Sequence, residues 1–185
     1  MATMTLDELV AQLTKAYDDT LVAVVLYGSA AAGEHVRDRS DYNVLVIVRD
    51  LPMDRLRAVA AVTTAWADAG NPPPLTLTVA EWRASADIFP MEYADILERH
   101  RVLQGELPLD GIRVAPADLR LQVEHQAMGK LLRLRQGVLA AGADGKRQLA
   151  LLADSLSTIM VVFRGVVRLH CARPPAGHEA LSREV

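Results

Sequence analysis

Two short polar segments interrupt the apolar runs near the N-terminus, and their residue types could bind charged ligands. Gly28-Ser29 follows the run Leu21–Tyr27, and Ser40-Asp41-Tyr42-Asn43 precedes the next apolar run. On a strand, Asp41 and Asn43 point to the same face because they are two residues apart. Carboxylate and amide oxygens are suitable ligands for a hard cation. The second segment therefore predicts a site for Mg²⁺ or Mn²⁺ with Asp41 as the main ligand and Asn43 as a weak second one.

The first segment could hold an anion beside that cation. Gly28 lets the backbone approach a ligand closely, and Ser29 offers a hydroxyl. We expect a short helix from Ser29 to about His35, whose first N–H groups could bind phosphate. Alone, Gly28-Ser29 is an ordinary turn between a strand and a helix, and a Ser-Asp pair is a common cap. The combination favours a role in phosphoryl or nucleotidyl transfer.

Together, Gly28-Ser29, Gly33 and Ser40-Asp41-Tyr42-Asn43 before an apolar strand resemble the signature of the DNA polymerase β-like nucleotidyltransferase superfamily. Its small members include minimal and aminoglycoside-type nucleotidyltransferases. The resemblance implies metal-dependent transfer of an NMP from an NTP, with ATP favoured, to a hydroxyl of a small molecule or a protein. It further implies that Gly28, Ser29 and Ser40 bind the nucleotide. Arg39 lies in the segment that could face the triphosphate and is a further candidate, although a solvated surface charge would explain it as well.

One position departs from the family pattern. Asn43 stands where the family has a second aspartate, so the metal ligands lack one negative charge and metal affinity is expected to be lower. An alternative interpretation follows: a catalytically weakened nucleotide-binding module, or an antitoxin-like regulator that acts through protein–protein contacts.

The resemblance also implies a third carboxylate from a later strand, as a metal ligand or as a general base. The segment Met91–Leu97, opened by Pro90, is predicted to be that strand. On a strand, Glu92 and Asp95 would point to opposite faces. At most one of them could then point at Asp41. We expect it to be Glu92, which sits just inside its strand as Asp41 does, with Asp95 as the alternative. An ordinary surface carboxylate would explain Glu92 equally well.

The pattern of apolar and capping residues predicts the helices and strands that position these residues. Thr5 and Glu8 have capping-box spacing at the start of an N-terminal helix. The expected strands and helices of the first part are Leu21–Tyr27, Tyr42–Val48, Met53–Ala69, Leu75–Val79 and Ala80–Asp87. These alternating elements predict an α+β fold, which the resemblance identifies as a nucleotidyltransferase fold with a small mixed sheet flanked by helices.

A helical bundle is expected to follow, with domains at 1–112 and 113–185. Two long helices are predicted at about Ala117–Ala140 and Gly145–Ala172. Ser182 could start another helix, and a further helix that is missing from this sequence or supplied by a partner would complete the bundle. The apolar character of these helices would permit a homodimer.

The composition limits the class of protein. Half of the 185 residues are hydrophobic (51%), and the net charge is −3, so bulk charge does not indicate nucleic-acid binding. The single cysteine, Cys171, excludes an internal disulfide framework. The N-terminus reads as an amphipathic acidic helix, and we expect no apolar run long enough to span a membrane. These features predict a cytoplasmic protein.

Overall fold

The computed structural model describes residues 4–31, 33, 41–170, 174–175 and 177–185. The chain forms two compact units. One combines Met1–Ala86 with Glu92–Arg113, and the other combines Asp87–Met91 with Val114–Val185. The domain boundary between residues 112 and 113, which the sequence predicts, stays a prediction.

The first unit is a four-stranded mixed sheet flanked by helices. The strand order is β3-β2-β1-β4, in which β1 pairs antiparallel with β2 and β4, and β2 pairs parallel with β3. With the helices of the second unit, this architecture confirms the expected α+β fold class. Its elements are α1 (Leu6–Tyr17), a 3₁₀ turn (Asp18–Thr20), β1 (Leu21–Tyr27), β2 (Asn43–Val48), α2 (Met53–Asp68), β3 (Leu75–Thr78), α3 (Val79–Ala84), α4 (Pro90–Glu98) from Glu92 onwards, and β4 (His100–Gly105).

The two central strands are covered on both faces, as their continuous apolar sequences predict. On one face, Val24 and Val46 belong to a core that includes Leu9 of α1 and Trp66 of α2. Residues of the other face, such as Val25, are equally inaccessible to water. This burial fixes the register, because a shift of one residue would exchange the two faces.

Capping boxes begin two helices of this unit. The Thr5 hydroxyl accepts a hydrogen bond from the Glu8 N–H at 3.2 Å, and the Glu8 carboxylate accepts one from the Thr5 N–H at 2.8 Å. The predicted cap is therefore confirmed. Thr78 and Glu81 repeat the arrangement at the start of α3, at 3.2 and 2.7 Å.

Removing either cap is expected to destabilise the fold. Thr5→Ala or Thr78→Ala should lower the free energy of unfolding by about 1 kcal/mol, because an orphan helix N–H loses its acceptor. Urea unfolding measures this change. Thr64→Ala is the matched control, since Thr64 donates to the Ala60 carbonyl within α2 and caps nothing; its effect should stay within about 0.5 kcal/mol. Equal losses for Thr5→Ala and Thr64→Ala would contradict the capping account.

The prediction of a strand at Met91–Leu97 is wrong, because these residues lie in α4. Pro90 occupies the first helical position, where its missing N–H costs nothing. Tyr93 and Ile96 are buried one turn apart, which matches helical periodicity. The fourth strand begins only at His100. Glu92 and Asp95 are therefore three residues apart on a helix and lie on neighbouring turns of the same side, not on opposite faces.

The second unit contains three helices in its described part: α5 (Pro116–Ala141), α6 (Gly145–His170) and α7 (His178–Glu184). The two long helices agree with the predicted spans. Ser182 lies inside α7 instead of opening a helix, and Leu181 is fully buried with Met160 and Val167 of α6.

By length and composition alone, α6 could cross a membrane. Its most apolar window has a mean hydropathy of 1.7, and 22% of that window is buried. This finding contradicts the expectation that no apolar segment is long enough.

Candidate functional site

Three polar side chains meet at one end of the sheet because of strand register. Tyr27, the last residue of β1, lies opposite Asn43 on β2 and opposite His100 on β4. Directly opposed residues of antiparallel strands project to the same face, with Cβ atoms about 5 Å apart. The register therefore places a phenol, an amide and an imidazole in one row at the edge where β1 ends.

Gly28 turns the chain at the end of this row. Its φ of +76° lies in the left-handed region, which favours glycine because a Cβ would be strained there. A Cβ at this position would stand 3.5 Å from Asn43 Nδ2 and 4.0 Å from Asp95 Oδ2. The turn therefore brings the predicted amide together with a carboxylate of α4.

The segment before β2 is anchored on its far side. The Tyr42 N–H donates to Asn71 Oδ1 at 3.1 Å, and the Tyr42 ring lies 6.1 Å from the ring of Trp66, centroid to centroid. Asp41 is exposed at the strand entrance. Its Cα lies within about 7 Å of the Cα of Asn43, which is the reach of two extended residues. A solvent-facing carboxylate thus stands beside the row on an anchored backbone.

The helix α4 supplies charge to the row. Burial raises the pKa of the Tyr27 phenol, and the nearby carboxylates of Glu92 and Asp95 raise that pKa further. Asp95 also pairs with Arg99 one turn later, at 2.8 Å. The Arg99 carbonyl in turn accepts a hydrogen bond from the Gly28 N–H at 3.2 Å. The carboxylates that were expected on opposite faces therefore act on one phenol.

Neutralising either carboxylate should lower the pKa of Tyr27. In Glu92→Gln and in Asp95→Asn, the phenolate no longer faces that negative charge, so it forms at lower pH than in the wild-type chain. NMR titration of ring-labelled tyrosine measures the change, and Tyr27→Phe assigns the resonance. An unchanged Tyr27 pKa in both variants would contradict the placement of α4 beside the phenol.

His100 is held in one tautomer. Its Nδ1 donates to the Ile96 carbonyl at 2.8 Å, which leaves Nε2 as the acceptor of the neutral ring. Sequence analysis missed His100 and Tyr27, because their meeting depends on the pairing of β4 with β1. The signal for Tyr27 in the sequence was its position directly before Gly28. The i,i+4 spacing of Asp95 and Arg99 was the signal for their ion pair.

Of the other residues predicted for the site, the structure describes Ser29 but not Arg39 and Ser40. Ser29 is half-buried within the turn that follows β1. Arg39 and Ser40 lie outside the described residues. Of the helix expected from Ser29 to about His35, the described residues 29–31 and 33 form turns, and the rest lies outside the described part.

The donor set of the described residues suits one hard cation better than two. Within that part of the chain, no group of three or more His, Cys, Asp or Glu side chains could hold a metal ion. Asp41 offers a full carboxylate and Asn43 a neutral amide oxygen. A Mg²⁺ ion bound by one carboxylate commonly completes its shell with phosphate oxygens and water, so Asp41 and Asn43 would fit one ion only with such additional ligands.

Comparisons with known proteins give structural likenesses only. No family model and no curated protein matches the chain. A solved toxin–antitoxin with AMP-PNP is 18% identical, covers 70% of this chain and 99% of its own, and has a TM-score of 0.42. The spectinomycin adenyltransferase of Enterococcus faecialis, solved with ATP and spectinomycin, is 12% identical, covers 97% and 88%, and has a TM-score of 0.46. A mutant of the toxin–antitoxin MntA-HpeT is 16% identical, covers 69% and 95%, and has a TM-score of 0.38.

Proposed function

We propose that the chain is a nucleotidyltransferase that moves an NMP from an NTP, with ATP as the favoured donor, to a hydroxyl of a small molecule or a protein. The observation that carries the proposal is the meeting of Asn43 and Asp95 at the left-handed turn of Gly28. This turn, with Asp41 at the adjoining strand entrance, combines an amide donor for a phosphate with oxygen ligands for a cation.

The nucleotide side of the site consists of backbone and small side chains. In this proposal Gly28 and Ser29 bind the triphosphate, together with Arg39 and Ser40. Asp41 is the main ligand of Mg²⁺ or Mn²⁺, and Asn43 is a weak second ligand. The bound cation would neutralise part of the phosphate charge.

The acceptor side would be formed by α4. Asp95 is the carboxylate of α4 that approaches the Gly28 turn. We assign it the position of the third carboxylate that the family resemblance implies. Glu92 is exposed on the same side of α4, where an acceptor hydroxyl can reach it, so we assign it the role of general base. The hydroxyl oxygen forms a bond to the α-phosphorus and loses its proton to Glu92. The bond between the α-phosphorus and the bridging oxygen breaks, and pyrophosphate leaves.

Release of pyrophosphate from labelled ATP tests this proposal. The full chain, supplied with Mg²⁺ or Mn²⁺ and a panel of hydroxylated acceptors, should release pyrophosphate and transfer labelled AMP. Asn43→Asp should leave the rate unchanged or raise it, because it restores a charged ligand. A silent wild-type chain that becomes active only as Asn43→Asp would instead support the nucleotide-binding alternative.

A second candidate function is a regulatory module that acts through protein contacts. The observation that favours it is the exposure of many large apolar side chains on α5 and α6. They are Leu121, Met128, Leu131, Leu132, Val138, Leu139, Leu149, Leu152, Leu156 and Val161. A groove of about 410 Å³ between these helices is also lined mainly by apolar groups. Apolar surface on this scale is typical of interaction sites.

We propose that a second copy of the chain covers these residues, in a cytoplasmic homodimer. Light scattering should then give twice the 20.1 kDa mass of one chain. Leu139→Glu should give the single mass, since Leu139 is 82% exposed and a carboxylate there could not be buried in the interface. Met53→Glu, at an exposed position on α2, should remain dimeric, because Met53 lies outside this group of residues. A monomeric wild-type chain at micromolar concentration would rule out the dimer.

A further inference from the structure

The candidate site contains a fixed cation of its own. Arg99 Nη2 lies 2.8 Å from Asp95 Oδ1, and the two side chains are only 13% and 27% exposed. The guanidinium of an arginine is not deprotonated in proteins. The negative charge that Asp95 brings to the site is therefore already compensated within the chain.

Arg99 is also connected to the Gly28 turn. Its carbonyl accepts the hydrogen bond from the Gly28 N–H at 3.2 Å. The second carboxylate oxygen of its partner Asp95 stands 4.0 Å from the position of a Cβ on Gly28. The backbone of Arg99 thus binds the turn while its side chain binds the carboxylate, and its positive charge is paired with Asp95.

Asn43 adds a hydrogen-bond donor to this arrangement. Its Nδ2 stands 3.5 Å from the same Cβ position on Gly28. An amide nitrogen donates hydrogen bonds and does not ligate a cation, so the atom that faces the turn suits a phosphate oxygen. The amide oxygen remains available to the ion at Asp41.

We infer that the site takes its nucleotide with one divalent cation, held through Asp41, because Arg99 neutralises Asp95 and Asn43 is uncharged, so that too little negative charge remains for a second cation. This inference rests on the proposed function and concerns how that site neutralises phosphate. Two divalent ions about 4 Å apart repel each other strongly unless several carboxylates surround them. Asp41, Glu92, Asp95 and Arg99 together carry two net negative charges and Asn43 carries none, which suits a single divalent ion.

Counting Mn²⁺ ions by electron paramagnetic resonance tests the inference. The nucleotide is α,β-methylene-ATP, which cannot transfer AMP because carbon replaces the bridging oxygen, and the full chain is in excess. The wild-type complex should contain one Mn²⁺ per bound nucleotide, without the spin coupling of neighbouring ions. Asn43→Asp should still bind one ion, about tenfold more tightly, because a charged ligand is added. Asn43→Asp combined with Arg99→Gln should bind two.

Arg99→Lys in the Asn43→Asp background is the matched control, because it retains the positive charge and should keep the count at one. Thermal unfolding checks that each variant folds. If the Arg99→Gln combination does not fold, the counts for the wild-type chain and for Asn43→Asp decide.

Each remaining outcome has one meaning. Two ions in the wild-type complex would overturn the inference and leave the proposed function intact. Two ions in Asn43→Asp alone would overturn the role of Arg99, and one ion in the folded double variant would overturn the charge argument. Absence of nucleotide binding to the wild-type chain would overturn both the inference and the proposed function.

Discussion

Asp41→Ala is expected to reduce pyrophosphate release from ATP by about 100-fold, since charge stabilisation by a metal in phosphoryl transfer is worth several kcal/mol and each 1.36 kcal/mol is about tenfold in rate. Asp41 is the one full carboxylate in the segment that resembles the metal-binding signature. Its removal leaves the neutral Asn43 amide as the neighbouring ligand. The effect should appear in kcat, and Mn²⁺ at high concentration should restore only part of it.

Asp50→Ala provides the matched control. Asp50 is an exposed aspartate just beyond the opposite end of β2, so its loss changes the net charge equally without touching the site. Its rate should remain within about twofold of the wild-type rate, as a screened surface charge has little effect. Retention of full activity by Asp41→Ala, with Asp50→Ala as reference, would contradict the assignment of Asp41 as the metal ligand.

Gly105→Ala is expected to lower the free energy of unfolding by about 3 kcal/mol or more, from left-handed strain of about 1–2 kcal/mol and overpacking of about 1–3 kcal/mol. Gly105 ends β4 with a φ of +72°, and a Cβ there would stand only 2.0 Å from the Val22 carbonyl oxygen. That oxygen accepts a hydrogen bond from the Glu106 N–H at 3.1 Å. A methyl group at position 105 would therefore displace the backbone at Val22 and weaken the pairing of β4 with β1.

Gly70→Ala separates the two causes. Gly70 has a φ of +87°, yet no atom lies within 4 Å of its Cβ position. Its substitution should cost only the backbone strain, about 1 kcal/mol. Urea unfolding compares the two variants in the same unit of the fold. A cost for Gly105→Ala no larger than that for Gly70→Ala would contradict the close approach of β4 to β1.

Local signals in the sequence were sufficient for much of the fold. The cap at Thr5 depends only on Glu8 three residues later, and the central strands depend on short apolar runs. The same cap signature at Thr78 and Glu81 was equally readable. Pro90 was misinterpreted as the opening of a strand because Met91 and Tyr93 alternate with polar residues. In a segment this short, strand and helix periodicities overlap.

The composition of the candidate site could not be predicted in the same way. The position of Asp41 beside Asn43 follows from strand alternation, which is local. The meeting of Tyr27 with His100 requires the antiparallel pairing of β1 with β4, strands separated by more than 70 residues. The approach of Asp95 to Gly28 requires in addition that α4 packs beside this edge. Such long-range pairings are set by tertiary packing, and no pattern within either segment encodes them.

The most direct test of the account is a crystal structure of the full chain with α,β-methylene-ATP and Mg²⁺. We expect the triphosphate to lie against the Gly28-Ser29 turn and the Asp41 carboxylate to contact the ion. A nucleotide bound away from this turn, or an ion held without Asp41, would contradict it.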